Sequence, residues 1–212
     1  MVIKKNLDSI IYDKMIECLI SGEFQMGQQI LLDDLVEKFS VSRTPISQAA
    51  RLLNTDGILE LKPNGRLYVP SYDKEQIRQI VNVRLLIEKY AIEQADFNKN
   101  SNIFEELKNS ATLFKKYAES EFLKMAKEDL NFHRLIVDAA SNEYLSDIYR
   151  RVQGRYIIAS YLVLPPNMRD NNRTASDHFQ LLEYLETNNV EGAKKLLEEH
   201  INAVCDQMLN RY

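Results

Sequence analysis

Leu35-Val36-Glu37-Lys38-Phe39-Ser40-Val41-Ser42-Arg43-Thr44-Pro45-Ile46-Ser47-Gln48 is the stretch on which the fold turns. Leu31, Leu35 and Phe39 recur at helical spacing, which predicts a short helix over 30–39. A polar break follows. A second helix is then expected from Pro45 to about Asp56, carrying Ile46, Ala49, Ala50, Leu52 and Leu53. Thr44 before Pro45 suits a helix cap with Pro in the first position, and Ser42 offers a cap one turn earlier. Two helices joined tightly, the second opening on Ser, Arg and Thr, form a helix-turn-helix pattern.

Upstream, Leu7, Ile11, Met15 and Leu19 mark the buried face of a first helix that stops near Gly22. Downstream, Ile58-Leu59-Glu60-Leu61, a Pro63-Asn64-Gly65 turn and Leu67-Tyr68-Val69 read as strand, turn, strand. Three helices and a hairpin wing thus occupy residues 1–72, a winged helix. Such a unit lays the start of its third helix, the second of the helix-turn-helix, in the major groove, where side chains meet base edges. Arg43 can fork onto guanine or phosphate, and Ser42, Thr44, Ser47 and Gln48 add short hydrogen-bonding groups. Gly65 lets the wing tip approach the DNA backbone, with Arg66 beside it. A solvated Arg at an ordinary helix start is the plainer alternative.

From Gln76 the chain reads helical, with expected helices at about 76–97, 101–118, 119–140, 142–162, 173–188 and 190–210. Residues 73–212 are therefore expected to form an all-α antiparallel bundle. The protein as a whole is expected to be mainly α. Pro165 to Asn172 is the long polar loop within the second unit.

Composition narrows the function. Of 212 residues, 45% are apolar and 27% charged, enough to build a core. No apolar run is long enough to span a membrane, and Met1 to Asn6 is not followed by a signal-type segment. Cys18 and Cys205, far apart, make no disulfide framework. A cytoplasmic protein is expected. The net charge of −4 excludes a basic nucleic-acid coat. Residues 1–72 hold 8 Lys+Arg against 9 Asp+Glu, so DNA binding would lean on a few placed contacts.

All three histidines, His133, His178 and His200, fall in the second unit. Asp129 and His133 stand four apart on one expected helix, which puts them on one face. A bundle can gather side chains from facing helices around a metal. Three imidazoles and a carboxylate suit Zn, Ni, Mn or Fe, and an octahedral ion would keep two positions for water or a ligand carboxylate. Isolated core or surface histidines are the plainer reading. A metal-dependent hydrolytic enzyme is a further alternative, though no H-E-x-x-H pattern is present.

The segments Gly22-Glu23-Phe24-Gln25-Met26-Gly27, Val41-Ser42-Arg43-Thr44-Pro45 and Arg51-Leu52-Leu53-Asn54-Thr55-Asp56-Gly57 resemble GntR-family transcriptional regulators. The chain departs from the family pattern where Ser47-Gln48 stands in place of Arg-Glu, and where Arg66 follows Gly65. Arg84-Leu85-Leu86-Ile87-Glu88, Asp129-x-x-Phe132-His133, Ser141-Asn142, Asp177-His178 and Leu197-Glu198-Glu199-His200 resemble the FCD ligand-binding domain of the FadR-like branch. The resemblance implies a homodimeric regulator, most often a repressor, bound to double-stranded operator DNA. It implies a divalent metal held by Asp129, His133, His178 and His200, and a small carboxylate effector of the sugar-acid or hydroxy-acid class. A regulator whose metal is purely structural is the alternative. Arg84 is a candidate for the effector carboxylate, or else a salt-bridge partner of Glu88. Asn142 and Arg155 are further effector candidates, Asn142 also suiting a helix cap.

Overall fold

The computed structural model describes residues 7–97 and 101–211. The reading of Met1–Asn6 lies outside them. Helix α1 (Leu7–Ile20) buries Ile11, Met15 and Leu19 against α3, as its four-residue periodicity requires, while Leu7, expected on the same face, is exposed at the helix start. Helix α2 spans Leu32–Phe39, not 30–39. Ile30 belongs instead to a two-residue strand, β1 (Gln29–Ile30), paired with Leu67. Gly27, at φ +75, turns the chain into that strand, and Gly27 N–H donates to Val69 O at 2.9 Å. A strand this short has no periodicity of its own to set against the helical pattern beside it.

Helix α3 (Arg43–Thr55) begins two residues before Pro45. Ser42 takes the cap position in extended conformation, although its side chain makes no capping bond. Pro45 is thus the third helical residue, where its missing N–H still costs no intrahelical bond. Strands β2 (Glu60–Leu61) and β3 (Leu67–Tyr68) complete an antiparallel sheet in the order β1-β3-β2. Gly65 sits at the wing tip at φ +75 in open space, a conformation that favours glycine.

Asp73 caps α4 (Lys74–Gln94) in a reciprocal box: Gln76 N–H donates to Asp73 Oδ1 at 2.8 Å, and Asp73 N–H to Gln76 Oε1 at 3.0 Å. The box starts the helix two residues before the expected Gln76. Then follow α5 (Ser101–Tyr117), α6 (Phe122–Asp138), α7 (Glu143–Val163), a 3-10 turn (Pro166–Met168), α8 (Asn171–Glu186) and α9 (Val190–Leu209). They close an all-α bundle around Ile77, Val81, Phe132, Ile136, Leu181, Leu197 and Ile201. Cys18 and Cys205 are buried and free. Among the described residues no helix is long and apolar enough to cross a membrane.

The winged helix is seated on the bundle. Ala126 of α6 and Ile157, Ile158 and Tyr161 of α7 join its core. Tyr12 OH donates to Asp56 Oδ2 at 2.7 Å, holding α1 to the turn after α3. That turn rests on Gly154 of α7 so closely that a Cβ there would lie 1.9 Å from the Asp56 carbonyl oxygen. The close approach requires a residue without a side chain.

Candidate functional site

Helix α6 presents Asp129 and His133 one turn apart, α8 presents His178 and α9 His200. Each offers a ligand atom, and the four atoms lie within 4.8 Å of one another. His133, His178 and His200 are buried. Their ring centroids stand 5.1–5.4 Å apart, and His178 stacks on Phe132 at 4.1 Å.

Two of the rings are tethered on their far side. His133 Nδ1 lies 2.7 Å from Glu88 Oε2, and His200 Nδ1 lies 3.0 Å from Asp177 Oδ2. His133 Nε2 and both nitrogens of His178 are buried with no hydrogen-bond partner. The nearest carboxylate oxygen to His178 Nε2, Asp129 Oδ1, is 3.5 Å away. An unpaired buried polar atom costs about 1–3 kcal/mol. One such nitrogen from each ring, beside the Asp129 carboxylate, fits a divalent cation, whose binding would satisfy those two atoms together. Burial holds the His133 imidazole below its ordinary range, with Glu88 partly opposing. Burial, with His200, His133 and Arg84 nearby, pushes His178 well below it. Both rings are therefore neutral at physiological pH, the form a metal needs.

Glu88 is fully buried. It accepts from Arg84 Nε at 2.6 Å, from Tyr149 OH at 2.6 Å and from His133. Burial pushes its carboxyl up, but Arg84 and His133 outweigh this and hold it at about 2. The Arg84 guanidinium also lies over the Tyr156 ring at 4.0 Å.

A cavity of about 30 Å³ opens beside the histidines, walled by Arg84, Asp129, Tyr156, Tyr161, Arg169 and Arg173 among others. Of the residues expected there, Arg84 is present, though its Nε is engaged by Glu88. Asn142 is not among the lining residues. Its side chain accepts from Leu145 N–H and caps α7. Arg155 is exposed on another face of α7, packed over Gly57. Sequence reasoning missed Arg169, which donates to Ser160 O at 2.9 Å and stacks over Tyr161 at 4.1 Å. It also missed Arg173, at the start of α8.

At the other end of the molecule, α3 and the wing enclose a groove of about 470 Å³. Arg43, Ser47, Arg51, Gly65 and Arg66 line it. Ser42, Thr44 and Gln48 are exposed at the start of α3. Arg43 is paired with Asp33 of α2, both well exposed, so the pair is weak and leaves Arg43 able to exchange partners.

Residues 7–69 match the bacterial regulatory proteins of the gntR family, and residues 79–203 match the FCD domain. The chain belongs to the GntR family and carries an FCD domain. This GntR regulator is 24% identical to the HTH-type transcriptional regulator YdhC of Bacillus subtilis, over 93% of its length and 88% of that protein. It is also 24% identical to the gluconate operon transcriptional repressor of Bacillus licheniformis, over 88% and 78% of the two chains. Its fold matches that of the E. coli protein McbR/YncC with a TM-score of 0.81 at 19% identity, covering 98% and 99% of the chains. The GntR regulator is accordingly a DNA-binding regulator of transcription and not an enzyme.

Proposed function

We propose that this protein is a homodimeric repressor in which residues 1–72 read operator DNA and residues 73–212 sense a small carboxylate beside a divalent metal. The carrying observation is the meeting of Asp129, His133, His178 and His200, with imidazole nitrogens buried and unpaired, in a chain that also carries a winged helix. Those four residues would hold the ion (Zn, Ni, Mn or Fe), and a bound ion would supply positive charge next to which a carboxylate can sit. Arg169 and Arg173, with Arg84 behind them, make the cavity wall favourable to an anion. The relative named for repressing a gluconate operon supports both repression and a sugar-acid effector class.

Signal and output are joined by α7. Tyr156 and Tyr161 wall the cavity, while Gly154 and Ile157 of the same helix seat the winged helix. An effector that binds two settings of α7 unequally would shift DNA affinity.

Dimerisation has a face available. Val83, Leu86 and Tyr90 on α4, with Tyr144 and Ile148 on α7, are exposed apolar residues on two helices that pack together through Ile87, Ala91 and Tyr149. A Leu86→Glu, Ile148→Glu double variant is expected to sediment as a monomer where the wild type sediments as a dimer. A variant that remains dimeric would place the interface elsewhere.

DNA recognition is tested by binding to a palindromic operator across a salt series. Arg43→Ala is expected to lose about 1–3 kcal/mol of operator affinity, read by fluorescence anisotropy. A lower preference for operator over random DNA marks a base contact, and a shallower salt slope marks a phosphate contact. Wild-type binding that ignores sequence at physiological salt would sink the reading.

The small cavity favours a second reading, in which the metal serves only as a folding ligand. Effector titration with and without chelator separates the two. Under the first reading chelation weakens effector binding, and under the second it lowers only the melting temperature.

A further inference from the structure

We infer that Glu88 and Asp177 are positioning residues that fix the tautomers of His133 and His200, so that both rings present a bare Nε2 toward Asp129 and His178. The inference rests on the metal reading of the cluster and adds to it the groups that aim its ligands.

A neutral ring carries one N–H, and which nitrogen bears it follows from the partner each nitrogen meets. A carboxylate only accepts, so a nitrogen within hydrogen-bond distance of one must donate. His133 Nδ1, 2.7 Å from Glu88 Oε2, is therefore the protonated nitrogen. Its Nε2, buried and unpaired, is the free lone pair. The same logic applies to His200, whose Nδ1 stands 3.0 Å from Asp177 Oδ2.

Glu88 is built for this role more completely than a surface acid could be. Arg84 and Tyr149 both donate to Oε1 at 2.6 Å, which fixes the plane of the carboxylate and leaves Oε2 to His133. Arg84 supplies the countercharge that lets a fully buried carboxylate stay ionised. Arg84 thereby acts on the metal site through Glu88 and His133 rather than as a ligand. Tyr149 comes from α7 and Glu88 from α4, so three helices converge on one ring nitrogen. Asp177 precedes His178 in sequence yet serves His200, because neighbours on a helix point in different directions.

The test uses full-length protein with 15N-labelled histidine. In metal-free wild type at pH 7.5, long-range proton–nitrogen spectra are expected to show His133 and His200 protonated at Nδ1. Glu88→Gln and Asp177→Asn are expected to weaken zinc binding about 10–100-fold each, measured by chelator competition, and to disturb the tautomer signal of their own histidine alone. Glu88→Gln leaves Arg84 without its partner and can unfold the bundle, whereas Asp177 is partly exposed and its variant tests the same idea in a folded protein. Protonation of His133 at Nε2 in the wild type, or wild-type zinc affinity in Asp177→Asn, would overturn the proposal. A wild type that shows Nδ1–H on both rings but takes up no zinc supports the positioning and overturns the metal reading instead.

Discussion

Replacing His178 by leucine is expected to leave the metal-free protein at least as stable as the wild type and to remove its response to metal. Both His178 nitrogens are buried without a hydrogen bond, so the wild type bears a desolvation cost that leucine does not. Leucine is close to histidine in volume and can rest on Phe132, on which the imidazole now stacks. In the wild type, free metal at 100 times its Kd is expected to stabilise the folded state by about 2.7 kcal/mol, or about 5–10 °C for a chain of this size. The variant is expected to shift by less than about 1 °C under the same conditions, because one of four ligands is gone. Paired melts with zinc and with chelator read both quantities. A variant that keeps the full zinc shift would show that the ion binds elsewhere.

The second large effect is expected at Gly154. Its missing Cβ would stand 1.9 Å from the Asp56 carbonyl oxygen and 3.0 Å from Ile58 Cγ1. The first of these is backbone, which cannot rotate away as a side-chain tip can. Gly154→Val is expected to cost about 3 kcal/mol or more, the upper end of overpacking effects. The loss should appear as separation of the winged helix from the bundle, because the clash falls at their seam, where Asp56 and Ile58 meet α7. Two thermal transitions in place of one, and faster protease cleavage near residues 71–73, are the expected readouts. A Gly154→Val protein that melts as one unit at the wild-type temperature would refute the close seating of the reader on α7.

Much of this architecture is legible in the sequence. The Val41 to Pro45 run marked the recognition helix because apolar spacing, a polar break and cap-forming residues coincide there. The helical bundle followed from sustained periodicity. Strand β1 was not legible, since two residues cannot establish a period and Ile30 also fits the helical row. The cluster around Asp129 was only half legible. The Asp129–His133 pair lies on one helix, but nothing local says that α8 and α9 turn His178 and His200 toward it. That expectation came from resemblance to a family. Arg155 was misdirected by a single residue: one step along a helix turns a side chain by about 100°, which separates exposed Arg155 from buried Tyr156. Arg169 went unseen because it sits in the loop after α7, where no periodicity signals direction.

The cavity beside the histidines is narrow, about 30 Å³. Were a carboxylate effector to bind only a wider, less populated form of the bundle, recognition would draw on that form. The affinity such an effector displays is then its affinity for the open form multiplied by the fraction of molecules that are open. Residues that keep the cavity narrow, such as Arg169 braced between Ser160 and Tyr161, would set that fraction as well as favour an anion. The concentration at which such a regulator responds would then be a property of how tightly its wall closes, as much as of the groups that meet the ligand.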